Sequence, residues 1–347
     1  MILEHIWIMM NSINISRLIR ISRTVPLVGH IAFGIIDRGT NLLQVRPYSA
    51  CHLSCIFCSV DAGPSTRTRI SEYIVDVNYL LEWVGYVASH KISSKIHILI
   101  DGVGEPLLHP HIVDLVAGLR DMDRIGEIAA ETHGAILSEN LIRRLSDAGL
   151  TRLNISIDSL DPDRASMLAG ARWYDVERVA EIAVYANSLG IDVMITPVWL
   201  PGVNDKDIEE IVLWAKRNIR NRYSPLLGIQ KYVAHKRGRK PQGVREPGWD
   251  EFYSFLETLE RRIGVRLRIS LEDFGVRPDR SLPKPMEVGD KVIAKIHSRG
   301  WLRGEYLGYS KGRAITVIHS GDLEEGDEIL VRIIHNKYNI YLARPTT

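Results

Sequence analysis

Only three cysteines occur in this 347-residue chain, and all lie between positions 51 and 58. An odd number in so short a stretch excludes a disulfide framework, because one thiol is always left over. No apolar run approaches the roughly 18 residues that a membrane-crossing helix needs. Charge of one sign is missing too. With 44 Lys and Arg against 42 Asp and Glu, the formal charge of +2 gives no global attraction to a polyanion. Met1 to Met10 is apolar but contains Glu4 and His5 and has no basic leader, so it is a poor secretory signal, and Met9 and Met10 leave open a later start. What remains, 45% hydrophobic and 25% charged, is an ordinary soluble composition, expected in the cytoplasm with its thiols reduced.

The length suggests about two domains. Residues 1–29 read as an N-terminal extension, with a weakly amphipathic lead-in over 11–23. Ile31–Ile36 and Asn41–Val45 flank the turn-rich Asp37-Arg-Gly-Thr40, a hairpin pattern. Helical spacing over Tyr73–Ser89, His111–Leu119, Ser138–Ala148, Val176–Leu189, Asp205–Arg217 and Trp249–Arg262 then alternates with short apolar runs. Those runs are Lys95–Ile100, Glu127–Thr132, Leu153–Asp158, Ile191–Val198 and Leu226–Val233, each expected as a strand. The alternation predicts parallel βαβ units, an α/β domain over residues 30–277. Pro278–Pro285, with three prolines, reads as a linker. Residues 286–347 carry five short β runs separated by turn signals, which suits a small all-β, OB-like barrel.

The chemistry starts at Cys51-His-Leu-Ser-Cys55-Ile-Phe-Cys58. Thiolates are the usual ligands of iron–sulfur clusters. A four-iron cubane normally takes four, so three leave one iron open to a cofactor or substrate. A zinc site completed by His52 is the competing reading of the same residues.

The spacing C-x3-C-x2-C, with Phe57 before the last cysteine, resembles the radical S-adenosylmethionine (SAM) superfamily. The resemblance implies a partial (β/α)6 barrel, a [4Fe–4S] cluster on Cys51, Cys55 and Cys58, and SAM on the open iron. Asp101-Gly-Val-Gly-Glu-Pro106 resembles the family's Gly-Gly-Glu motif, which implies SAM contacts from Gly104, Glu105 and Pro106, with Val103 in place of the first glycine. By itself Gly-Glu-Pro is more often a turn before a helix. Ser156-Ile-Asp158 resembles the fourth-strand motif that reaches the ribose and methionine of SAM, although alternate polar residues facing a barrel lumen need partners whatever they bind. Thr132-His-Gly134 stands where the third strand closes, His133 reading as a wall residue. Gln230-Lys-Tyr232 would shape the substrate end. Pro201-Gly-Val-Asn-Asp205 resembles a loop of the molybdenum-cofactor cyclase-like branch, but Asn204 and Asp205 are first of all good helix caps. No acid, base or nucleophile is named, and an external protein is expected to supply electrons.

Between Ile211 and Lys240 there are nine Lys or Arg and no Asp or Glu. Lys236, Arg237, Arg239 and Lys240 form the densest part and are the candidate phosphate contacts, the plainer reading being a solvated loop. Gly326-Asp-Glu-Ile-Leu-Val-Arg-Ile and Asn339-Ile-Tyr-Leu-Ala-Arg344 resemble a TRAM domain, a small RNA-binding barrel. Residues 283–347 carry ten Lys or Arg against eight acids, and Trp301, Tyr306, Tyr309 and Tyr338 are there either to stack on bases or to fill the barrel. Methylthiotransferases of tRNA combine the same two modules, but no cysteine remains here for an auxiliary cluster. The whole resembles an archaeal group of radical SAM proteins ending in a TRAM domain. The expectation is an enzyme that modifies a nucleotide in tRNA or another structured RNA. Its rivals are a radical SAM enzyme acting on a small molecule or peptide, and a zinc-stabilised RNA-binding protein without catalysis.

Overall fold

The structure, a computed structural model, describes residues 18–319 and 321–346. Most of the N-terminal extension and of the expected 11–23 lead-in therefore lies outside the described residues. The chain divides into two compact units. One comprises the described parts of Met1–His52, Thr66–Gly126 and Arg277–Thr347, the other Leu53–Ser65 and Glu127–Val276.

The first unit opens with β1 (Leu18–Arg20), β2 (Gly34–Asp37), β3 (Leu42–Arg46), β4 (Glu72–Ile74), α1 (Val77–Ser89), β5 (Ile96–Ile100) and α2 (Ile112–Arg120). Strands β2 and β3 form the expected antiparallel hairpin, and β3 pairs in parallel with β5. The chain crosses between β3 and β5 through α1. Asp76 starts that helix by accepting the Tyr79 N–H at 3.0 Å, and Leu80, Val84 and Val87 bury one face at i, i+4, i+7. The crossover leaves the segment after β3, residues 47–52, at the C-terminal edge of a parallel pair, where α/β folds place their chemistry.

The second unit holds β6 (Ile125–Thr132, all but its first two residues), α3 (Glu139–Asp147), β7 (Arg152–Ile155), α4 (Pro162–Ala169), α5 (Val176–Ser188), β8 (Asp192–Ile195), β9 (Val198–Trp199), α6 (Asp205–Asn218), β10 (Gln230–Lys231) and α7 (Trp249–Ile263). Strands β6, β7 and β8 are parallel neighbours. Ser138 caps α3 through the Leu141 N–H, as its sequence suggests. The expected strand over Leu226–Val233 is reduced to a bridge from Leu227 to Ile195 and the two residues of β10 paired with β9. Its partner is interrupted at Pro197, which has no N–H to give a ladder.

The C-terminal part of the first unit is a closed five-stranded barrel, in the order β11 (Lys291–Arg299), β12 (Glu305–Ser310), β13 (Arg313–Ile318), β15 (Leu342–Pro345), β14 (Glu328–His335). Alternation sets its inside: Val292, Ala294 and Ile296 of β11 are buried while Ile293 between them is 59% exposed. Closure leaves no free sheet edge. Tyr306 and Tyr341 sit in its core.

The segment read as a linker is stitched down along its length. Lys91 Nζ donates to the Arg280 carbonyl at 2.8 Å, and Asp37 accepts the Leu282 N–H at 2.9 Å. Asp279 accepts the N–H groups of Ile92 and Ser93. The barrel itself bonds the loop before β2, with Ala314 N–H on Val28 O and Tyr341 N–H on Gly29 O, both 2.9 Å. Gly29 has φ of 135°, and a Cβ there would overlap the Ala314 backbone, so only glycine permits this approach. Among the described residues no helix is long and apolar enough to cross a membrane.

Candidate active site

In the first unit the segment before the first cysteine is held by one arginine. Arg69 donates to the carbonyl of Ser49 at 3.0 Å and to that of Val103, so a single guanidinium ties the approach to Cys51 to the loop after β5. Glu72 balances its charge at 3.0 Å, with 1% and 8% of the two side chains exposed, and the Trp301 ring of the barrel lies 4.5 Å from its guanidinium carbon. Glu72 also accepts from Ser49 Oγ, and burial raises its pKa against the pull of Arg69. The two loops touch directly: the Glu105 N–H donates to Ala50 O at 2.9 Å. A Cβ on Gly104 would overlap the carbonyl oxygens of Ser49 and Ala50, so glycine is required there by contact with the cysteine segment. Glu105 is fully buried, and its carboxylate accepts the Leu107 N–H at the head of the short turn Pro106–Leu108. Cys51 is buried in this frame.

In the second unit Cys55 and Cys58 ride on a loop seated on the end of α4. Ser54 and Ile56 donate N–H groups to the carbonyls of Ala169 and Leu168, both at 3.0 Å. Gly170, with φ of 59°, lets Ser54 O come where a Cβ would stand. The loop then turns on itself: Cys58 N–H bonds Cys55 O at 3.1 Å, and Ala62 N–H points at Cys58 Sγ at 3.2 Å. Asp61 adopts φ of 51°.

The surprise is Arg239. It was expected among the RNA contacts, and its side chain instead closes this loop. It donates to Cys55 O at 2.8 Å and to Ala62 O, pairs with Asp61 at 3.0 Å, and its own N–H bonds Cys58 O at 2.8 Å. Gly238 beside it has room for nothing larger, since a Cβ would stand 2.9 Å from Cys58 O and Ser59 O. Lys236, Arg237 and Lys240 are exposed on the same short segment.

The strand ends of the second unit supply polar groups. His133, after β6, places Nε2 3.9 Å from Cys55 Sγ, and burial lowers its pKa to about 4, which keeps it neutral. Ser156 Oγ lies 3.3 Å from Thr196 Oγ1. Asp158 accepts the Val198 N–H at 2.8 Å, and burial pushes its carboxyl up to about 7. Asn204 departs from expectation: it stands at the start of α6 but its side chain makes no capping bond. It accepts the Leu200 N–H and donates to Val198 O and Asp158 O, fastening the strand end that carries Asp158. Asp205 takes the Trp199 indole N–H at 2.7 Å and the Gly202 N–H. Of the aromatic residues weighed for base stacking, Tyr306 fills the barrel and Trp301 covers Arg69.

Among the described residues no three His, Cys, Asp or Glu side chains converge on one point as a single zinc ion requires. Each cysteine of a cluster binds a different iron and needs no such convergence. Three thiols within eight positions, Cys51 and Cys55 buried and Cys58 partly so, are a donor set that fits a cluster with one open position.

The family described as the Radical SAM superfamily matches residues 45–215, from the cysteine segment into α6. An uncharacterised protein of Methanocaldococcus jannaschii is 36% identical over 345 residues, 94% of this chain and 80% of its own length. A probable GTP 3′,8-cyclase of the same organism is 33% identical over 177 residues, 49% of this chain and 53% of its own, so the chain spans about half of that relative. The crystal structure of Streptococcus suis SuiB bound to SAM has a TM-score of 0.51 at 17% identity, covering 66% of this chain and 49% of that one, a likeness of fold. The cysteine spacing, the glycine strand end and these matches agree, and the chain belongs to the radical SAM superfamily as an enzyme of the [4Fe–4S] cluster and SAM.

Proposed function

We propose that this radical SAM enzyme modifies a nucleotide in structured RNA of the tRNA class. One observation carries the substrate reading: the basic segment is fastened to the cysteine loop through Arg239 and Gly238, which brings exposed Lys236 and Lys240 next to the cluster loop. A polyanion engaged there would have its backbone beside the reacting centre. When bound, the cofactors supply one-electron cleavage of SAM to methionine and a 5′-deoxyadenosyl radical, with the electron delivered by an external donor. This chain's part is to orient and to exclude water. Cys51, Cys55 and Cys58 would hold the cluster, Gly104 and Glu105 frame the SAM side, and Ser156 and Asp158 present polar groups from the β7 end. We read the C-terminal barrel as TRAM-like on the resemblance of residues 326–344.

The test is anaerobic: reconstituted protein, SAM and dithionite, with or without total archaeal tRNA, and 5′-deoxyadenosine quantified. Product that rises with tRNA supports the reading. In the same system Lys236→Glu with Lys240→Glu should weaken tRNA binding and flatten its log–log salt dependence by about 1.5 to 2. Unchanged binding would sink the RNA assignment.

A second reading has its own support. Similarity to GTP 3′,8-cyclases over half the chain favours a free nucleotide whose phosphates use the same basic segment. Product formation that responds to GTP and ignores tRNA would select it.

A further inference from the structure

The C-terminal barrel was expected to be a module on a linker, but its contacts give it a second task. Ile70 N–H bonds Trp301 O at 3.0 Å, Arg69 bridges Leu302 in antiparallel fashion, and the Arg69 guanidinium carbon lies over the Trp301 ring, 4.5 Å from its centroid. That guanidinium in turn holds the carbonyls of Ser49, two residues before Cys51, and of Val103, next to Gly104. We propose that the barrel is a structural part of the SAM site, with Trp301 a positioning residue that acts through Arg69 to fix the backbone on which the first cysteine and the glycine strand end sit.

The physical reason is geometric. A guanidinium donates in its own plane, so a ring over its face blocks rotation and shields it from water without competing for its hydrogen bonds. Trp301 is 7% exposed and Arg69 is buried, so the stack is dry, where such a contact has its greatest effect. An aromatic residue kept for a nucleic-acid base would face solvent instead. The proposal does not depend on the RNA reading and survives its failure.

The experiment compares Trp301→Leu, which removes the stack, with Trp301→Phe, which keeps a ring, and with Val317→Ala, which loosens the barrel core elsewhere. Hydrogen exchange of residues 49–51 and 103–105 is followed in the cluster-free protein, and SAM affinity and iron retention are measured after reconstitution. Trp301→Leu should speed exchange at those amides and weaken SAM binding about tenfold, the scale of a desolvated cation–π contact. Trp301→Phe should restore both to near the parent, and Val317→Ala should lower thermal stability without moving either. The proposal is overturned if Trp301→Leu leaves exchange and SAM affinity at parent values, or if Val317→Ala shifts them equally. Should Trp301→Leu fail to fold, the Phe and Ala variants and Arg69→Lys, which retains charge but loses the fork, still decide it: Arg69→Lys must release both loops.

Discussion

Arg69 and Arg239 hold the same cysteine segment by its backbone carbonyls, one in each unit, in opposite surroundings. Arg69 is 1% exposed at its side chain, paired with a buried Glu72 and roofed by an aromatic ring. Arg239 is 17% exposed, paired with Asp61, and belongs to a segment whose neighbours face solvent. A buried ion pair fixes geometry and tolerates no loss of a partner. A partly exposed one gives less stability. The first clamp therefore reads as architecture, and the second fastens a loop whose neighbours Lys236, Arg237 and Lys240 are exposed.

Breaking the buried clamp should have the largest effect. Arg69→Met leaves Glu72 buried without its counter-charge and should cost about 3–5 kcal/mol, checked by denaturant unfolding. Arg69→Met with Glu72→Leu should recover most of it. If the single variant lost under about 1 kcal/mol, the contrast between the clamps would collapse.

Arg239→Met strips donors from the carbonyls of Cys55 and Ala62 near water. A smaller loss, about 1–3 kcal/mol, is expected, confined to the loop and visible as faster exchange over residues 55–62 and faster iron release. Arg239→Lys should rescue only in part, because an ammonium cannot reproduce the fork.

A pH-dependent effect sharpens the contrast in buried charge. The first unit buries carboxylates against cations, as in Arg46–Asp101 and Lys91–Asp37. Asp158 in the second is raised from 3.8 to about 7 by burial, with one backbone N–H as its acceptor bond. Its folded form keeps a proton that the unfolded chain releases near pH 4. Stability from this group is thus full below about pH 4 and is lost as pH rises towards 7, at up to about 1.4 kcal/mol per pH unit. Asp158→Asn removes that slope, so the difference between parent and variant unfolding energies should change over pH 4–7 and be flat above it. A pH-independent difference would mean that Asp158 is ionised throughout.

Much of the architecture was legible because local periodicity carries it. The α1 stripe, the Ser138 cap, the β2–β3 hairpin and the β11 alternation follow from residues a few positions apart. The cysteine spacing named the chemistry because the three thiols lie on one short loop. Asn204 was misread since capping is the commoner use of an asparagine before a helix, and the carbonyls it holds come from other strands.

By itself, then, the sequence determined the alternating α/β pattern, the small closed barrel and the three-thiol motif, all written in short-range spacing. Only the tertiary structure decided which charges are spent. A run of basic residues declares its charge but not its partners, and Arg239 finds Cys55 184 positions earlier. The same holds for the proline-rich segment, whose composition suggests a tether while its backbone is bonded at Asp37 and Lys91, and for Trp301, whose ring could have met a base. Such pairings join residues distant along the chain, and their energies depend on burial, which exists only once the chain has folded.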